Sequence, residues 1–154
     1  MTHTQFVEFH DRGFWAYDVA LGVFLKHLID AAERRHDEVW LSEVVSRWRV
    51  VATVSEYGLT IEPSWSSARV TIFVELVEEA CARLSERHSI PADEIRAWRI
   101  LEHQGVFPRG AAAILTAPVI ELGRAIIALA KGELPEAPPG TTWFYGTPTG
   151  RSTL

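Results

Sequence analysis

Five chemistry-bearing side chains crowd the start of the chain: Glu8, His10, Asp11, Arg12 and Asp18, all within or beside the stretch EFHDRGFWAYD. Imidazole titrates near neutrality, so His10 oriented by a carboxylate such as Asp11 has the make-up of a general base. Arg99 is the cation that would complete such a set in a pocket between helices. The competing reading is structural, with Asp11 capping the first helix and His10 facing water. Acid–base work needs side chains that converge from several directions, and one turn does not supply that.

Other patterns are incomplete. Glu33-x-x-His36 has the spacing by which di-iron bundles aim a carboxylate and an imidazole at one metal. Such a site needs a second copy, and the chain has none. His36 is therefore assigned to stabilising the carboxyl end of a helix, and His88, in SERHS, to the same task elsewhere. Cys81 is the only cysteine, so neither a disulfide within the chain nor the thiolate pairs of a structural zinc site can form. Lying between Ala80 and Ala82 on an apolar stripe, it reads as inert core. The Gly-x-Ser-x-Gly elbow of serine hydrolases is absent. Near the end, GTPTGRST resembles a phosphate-binding loop, but three residues separate Gly146 from Gly150 and Arg151 stands where Lys belongs. Only three residues follow Arg151, so the helix whose N-terminus would face the phosphate cannot form. No metal and no cofactor is expected.

Composition narrows the partners. The formal net charge is −5, and no basic stripe is present to release counterions from nucleic acid. Thirteen of the fifteen basic residues are Arg, a bias that suits a GC-rich bacterial genome. The opening MTHTQFVEFHDRG lacks a secretion signal, and with a single cysteine the expected compartment is the cytoplasm.

The elements that would position these residues follow from apolar spacing. Phe14, Tyr17, Leu21, Phe24, Leu25, Leu28 and Ala32 recur three or four apart, predicting a long helix from Phe14 after a turn at Asp11, Arg12 and Gly13. Trp15, Val23 and Ile29 lie off that stripe, so the helix should be buried on several sides. A second helix opens near Asp37 or Glu38, buries Leu41, Val44, Val45, Trp48 and Val51, and stops by Gly58. Leu59 to Glu62 read as extended. Ser64, Ser66 or Ser67 caps a third helix through Val70, Phe73, Val74, Val77, Cys81 and Leu84. A fourth runs from about Ser89 toward Gly105, and a fifth lies within PRGAAAILTAPVIELGRAIIALAKGEL, kinked or opened at Pro118, with a local Glu121–Arg124 pair. Charges interrupt every long apolar run, and each near a bilayer centre would cost about 2.5 to 3.5 kcal/mol, so no membrane span is expected.

Six tryptophans spread over these elements suggest a shared aromatic core with some rings left at the surface. Trp48 and Trp98, each flanked by arginines, together with Trp143 and Tyr145, are the candidate binding residues. The expected architecture is mainly α: a single-domain bundle of about five helices over residues 1–134, with a Pro/Gly-rich aromatic tail at 135–154 folded onto it and pairing with Leu59 to Glu62. The function that suits an acidic, aromatic-rich chain without catalytic signature is non-catalytic binding of a protein partner in the cytoplasm, as in a bacterial toxin-neutralising protein. Two alternatives are a small-molecule binder or enzyme using His10, Asp11 and Arg99 in an inter-helical pocket, and a self-associating structural protein, a homo-oligomer built on the helix from Ala117 to Lys131.

Overall fold

The first elements are strands. TQFVEF and RGFWAY alternate in burial along a hairpin made of β1 (Thr4–Phe9) and β2 (Arg12–Tyr17), paired antiparallel with Phe6 opposite Trp15 and Phe9 opposite Arg12. This computed structural model describes residues 3–35 and 37–154. The turn is therefore His10–Asp11, with His10 at φ 56, and not the expected Asp11–Gly13. Gly13 serves a different need: a Cβ there would lie 2.3 Å from the Val7 carbonyl oxygen and 2.6 Å from the Phe6 ring. Phe14 and Tyr17 belong to β2, and the long helix α1 (Asp18–Glu33) begins only after them.

Helices cover one face of the resulting sheet. The buried side chains of α1 include Leu21, Phe24, Leu25, Leu28 and Ile29, and α2 (Trp40–Thr53) packs along it. The third helix, α3 (Ser67–Ser85), begins where Ser66 Oγ accepts the Arg69 backbone N–H at 3.3 Å. It packs most extensively on α5 (Thr116–Ala130), with Pro118 in the first turn. Gly132, at φ 72, ends α5: its N–H reaches the Leu129 carbonyl and that of Glu133 reaches Ala128, the double bond of a left-handed helix stop. The stretch expected as one fourth helix is instead β4 (Ser89–Pro91) followed by the short α4 (Ala92–Ala97). β4 pairs antiparallel with β5 (Ala113–Leu115) just before α5.

The remaining strands complete a mixed sheet in the order β3-β1-β2-β6-β7, where β3 is Leu59–Ile61, β6 Trp143–Tyr145 and β7 Ser152–Thr153. The tail does not pair with Leu59 to Glu62. β3 runs parallel to β1, whereas β6 runs parallel to β2 on the far side of the hairpin. The fold is thus mixed α/β, and the mainly α helical bundle expected from periodicity is corrected: 19% of the chain is strand, beside 46% helix, and the hairpin sits at the centre of a five-stranded sheet. Among the described residues no helix is long and apolar enough to cross a membrane.

Candidate functional site

Alternation along the hairpin divides its side chains between two environments. Val7, Phe14 and Ala16 point into the core at 0% exposure, whereas Phe6 and Trp15 turn to the face that carries no helix. On β6 the same alternation sends Tyr145 inward, edge-on to Phe14 at 4.9 Å, and leaves Phe144 beside Trp15 on the open face. Phe6 and Trp15 meet edge to face at 4.9 Å with a 70° interplanar angle, a favourable aromatic arrangement. Phe6, Trp15 and Phe144 are half-buried, and none belongs to the hydrophobic core or packs against it. A row of three aromatic rings thereby crosses three neighbouring strands. Its rim is polar: Glu8 and Thr60 are exposed, with the Thr60 hydroxyl donating to Glu8 Oε1 at 3.2 Å.

Beyond the row the sheet splays. β2 and β6 pair at Trp15–Phe144 and Ala16–Tyr145 and then part toward the hairpin turn. The gap has a volume of about 410 Å3 and is lined by Phe6, Asp11, Arg12, Gly13, Glu136 and Thr142, among others. Arg12 is turned to its wall, donating to the Leu134 carbonyl at 2.6 Å. A separate cleft of about 340 Å3, largely apolar, lies between α2 and β3 against Trp48, Val51, Tyr57 and Trp65, with the Arg47–Glu62 ion pair (2.8 Å) among its walls.

The residues singled out from sequence scatter over this framework. His10 and Asp11 are exposed at the hairpin tip, where the His10 ring packs on Phe9 at 4.2 Å. Arg99 lies beyond α4, donating to the carbonyls of Arg96 and Trp98 at 3.0 and 3.1 Å. No hydrogen bond joins Arg99 to His10 or Asp11 among the described residues. Of the candidate binding rings, Trp48 and Tyr145 are buried at 3% and 5% exposure. Trp98 is edge-on to His27 with Lys26 above its ring, and Trp143 carries Arg151 at 4.0 Å from its centroid. The row Phe6, Trp15, Phe144 was missed; the available signal was Trp15 falling off the helical stripe.

The remaining chemistry resolves locally. Glu33 accepts from Arg49 at 2.9 Å, and His36 lies outside the described residues. Burial raises the Cys81 thiol above its usual range, which keeps it protonated against the Ile120 carbonyl. In GTPTGRST, Thr147 accepts the Gly150 N–H at 2.8 Å, and Arg151 N–H donates to Glu121 at 2.9 Å. Glu121 therefore holds the tail in place of the expected pair with Arg124, and β7 follows where a phosphate loop needs a helix. The apolar side of α5 faces inward: Val119, Leu122, Ala125, Ile126 and Leu129 are buried within the chain.

His27 is a half-buried titratable group on α1. Its Nδ1–H donates to the Val23 carbonyl at 2.8 Å, and burial lowers its pKa below the ordinary 6.5, with Asp30 pulling upward and Lys26 and Arg87 downward. A lowered pKa means that the unfolded chain takes up the proton first. Stability is thus complete above pH 6.5 and falls as pH drops toward the folded value. His27→Gln should remove that part of the acid-side loss. Urea midpoints measured against pH by tryptophan fluorescence check it, and parallel curves for the two proteins below pH 6.5 would refute it.

Comparison with protein-family models, curated proteins and solved structures finds no match to this chain.

Proposed function

We propose that this chain is a non-catalytic protein-binding module whose partner docks on the helix-free face of the sheet, across Phe6, Trp15 and Phe144. The observation that carries the reading is that three large rings stand together in register outside the core. A half-buried aromatic cluster at the surface is well suited to anchor an interface, where large aromatic side chains dominate the energetics. The dispersal of His10, Asp11 and Arg99 favours recognition over catalysis. With its lone thiol buried, the protein suits a reducing cytoplasm. Neutralising a toxin in a bacterial cell is one role for such a face.

The test is affinity capture from extracts of the source cells, followed by measured affinity for the protein recovered. Trp15→Ala should weaken that affinity by about 2 kcal/mol, roughly thirty-fold, as expected for a central aromatic anchor. Val39→Ser, which alters a side chain 83% exposed on the helical side, should leave it unchanged. Equal affinities for both variants, with melting temperatures intact, would place the partner elsewhere. A small molecule that stabilises the protein and quenches Trp48 and Trp65 would instead favour the cleft between α2 and β3 as the functional site.

A further inference from the structure

The charges around the aromatic row are unbalanced. Glu8 stands on the same face beside Phe6, and Asp11 and Glu136 line the splayed gap that Phe6 also borders. All three carboxylates are exposed, and none forms a salt bridge among the described residues. Arg12, on the same margin, already donates to the Leu134 carbonyl, and Arg151 is stacked on the Trp143 ring that also lines the gap. On the helical side Glu33, Glu75 and Glu79 each have an arginine partner, while Glu78 of α3 has none among the described residues. Carboxylates without an ion-pair partner are thus gathered at the margin of the apolar face, in a chain whose net charge is −5.

Resting on the docking face proposed above, we infer that the partner is a protein presenting a basic surface, with arginine or lysine side chains meeting Glu8, Asp11 and Glu136 while its apolar centre covers Phe6, Trp15 and Phe144. A cationic side chain entering the 410 Å3 gap would meet Asp11 and Glu136 together with the Phe6 ring. A guanidinium is the group best served by that combination, since it pairs with carboxylates and stacks on aromatic faces. Opposed charge at the rim speeds encounter and excludes acidic competitors, and the rings supply the contact that resists dissociation.

The experiment uses the full chain, isotope-labelled, titrated with two capped pentapeptides, one of alternating Arg and Val and one of alternating Glu and Val. The arginine peptide should shift the amide resonances of Phe6, Glu8, Asp11, Trp15 and Phe144, less so at high salt, and the glutamate peptide should not. A triple variant, Glu8→Gln with Asp11→Asn and Glu136→Gln, should bind the arginine peptide about tenfold more weakly, with its melting temperature checked for an intact fold. Equal shifts from the two peptides, or a triple variant that binds as the parent does, would overturn the inference. Trp15→Ala in the same titration separates the two claims. If it alone loses binding, the docking face stands without a preference for cations; if it changes nothing, the face itself is misplaced and this inference falls with it.

Discussion

Gly123→Ala should lower stability by about 2 kcal/mol, a melting-temperature drop of about 4–8 °C for a chain of this size. Two effects oppose each other. Alanine is the better helix former, by about 1 kcal/mol in an exposed helix interior. But the added Cβ would lie 2.6 Å from Cys81 Sγ and 2.7 Å from the Phe24 ring, distances at which buried atoms must move. Neither neighbour can retreat cheaply: Phe24 is at 0% exposure in α1, and the Cys81 thiol is held against α5 at the Ile120 carbonyl. Overpacking of this kind costs about 1–3 kcal/mol, more here because three helices meet at the point, so the steric term wins. Cys81→Ala in the same chain should recover part of the loss, since it removes one of the two obstructions and leaves Phe24. Thermal unfolding of the single and double variants reads this directly. A Gly123→Ala protein as stable as the parent would mean that α5 does not approach α1 and α3 as closely as described.

The close approach of α5 to α1 and α3 leaves no mark in the sequence, whereas some single elements do. The third helix is legible in its buried stripe because nineteen residues share one period, while its β-branched start also fits a strand and its cap is open among Ser64, Ser66 and Ser67 until the structure places it at Ser66. The hairpin is not legible, although its pairing is local. Phe14, Tyr17 and Leu21 satisfy a helical spacing while Phe14 and Ala16 satisfy a strand's, and over so few residues both periods fit. The turn gave no help. His10–Asp11 lacks the glycine or asparagine that marks tight hairpins, and Gly13, which looks like a turn residue, is required by the Val7 carbonyl pressing on it.

Length set the other limits. β3 through β6 have three residues each, too few for any alternation to rise above chance, and β6 meets β2 from the opposite end of the chain. Because the proposed docking site is the unclothed face of that sheet, its residues are brought together only by the sheet. Trp15 was visible as a residue that did not fit the helix, but its neighbours Phe6 and Phe144 become neighbours only through strand register. Trp48 and Tyr145 illustrate the converse: residue type nominated them for binding, and packing buried them.

The loop between α4 and β5 is where the second large effect is expected. Asp18, the first residue of α1, has a side chain only 7% exposed, and Arg109 reaches it through both guanidinium edges, Nε to Oδ1 at 3.2 Å and Nη2 to Oδ2. The pair raises the Arg109 pKa, so the cation is fixed. Nearby, Val106 is seated over Gly22 of α1, where a Cβ would come within 2.8 Å of it. The loop is thus pinned to the start of α1 by one apolar and one ionic contact. Arg109→Met would leave a buried carboxylate without its partner. Removing one member of a fully buried pair costs about 3–5 kcal/mol, but the positive end of α1 compensates Asp18 by up to about 1 kcal/mol, and the Arg109 side chain is 24% exposed. A net loss of about 2 kcal/mol is expected. Asp18→Asn should cost less, about 1 kcal/mol, because the guanidinium it abandons can turn to water. The two changes share one contact, so the double variant should be more stable than the sum of the single losses implies, by about 1 kcal/mol or more. Hydrogen exchange adds a local readout: amides from Gly105 to Ala112 should exchange faster in either single variant, and those of α3 at an unchanged rate relative to global stability. Strict additivity, or loop amides as protected as in the parent, would show that the ion pair is incidental to anchoring the loop, which Val106 and the Arg49 bond to the Ile100 carbonyl at 2.7 Å would then hold.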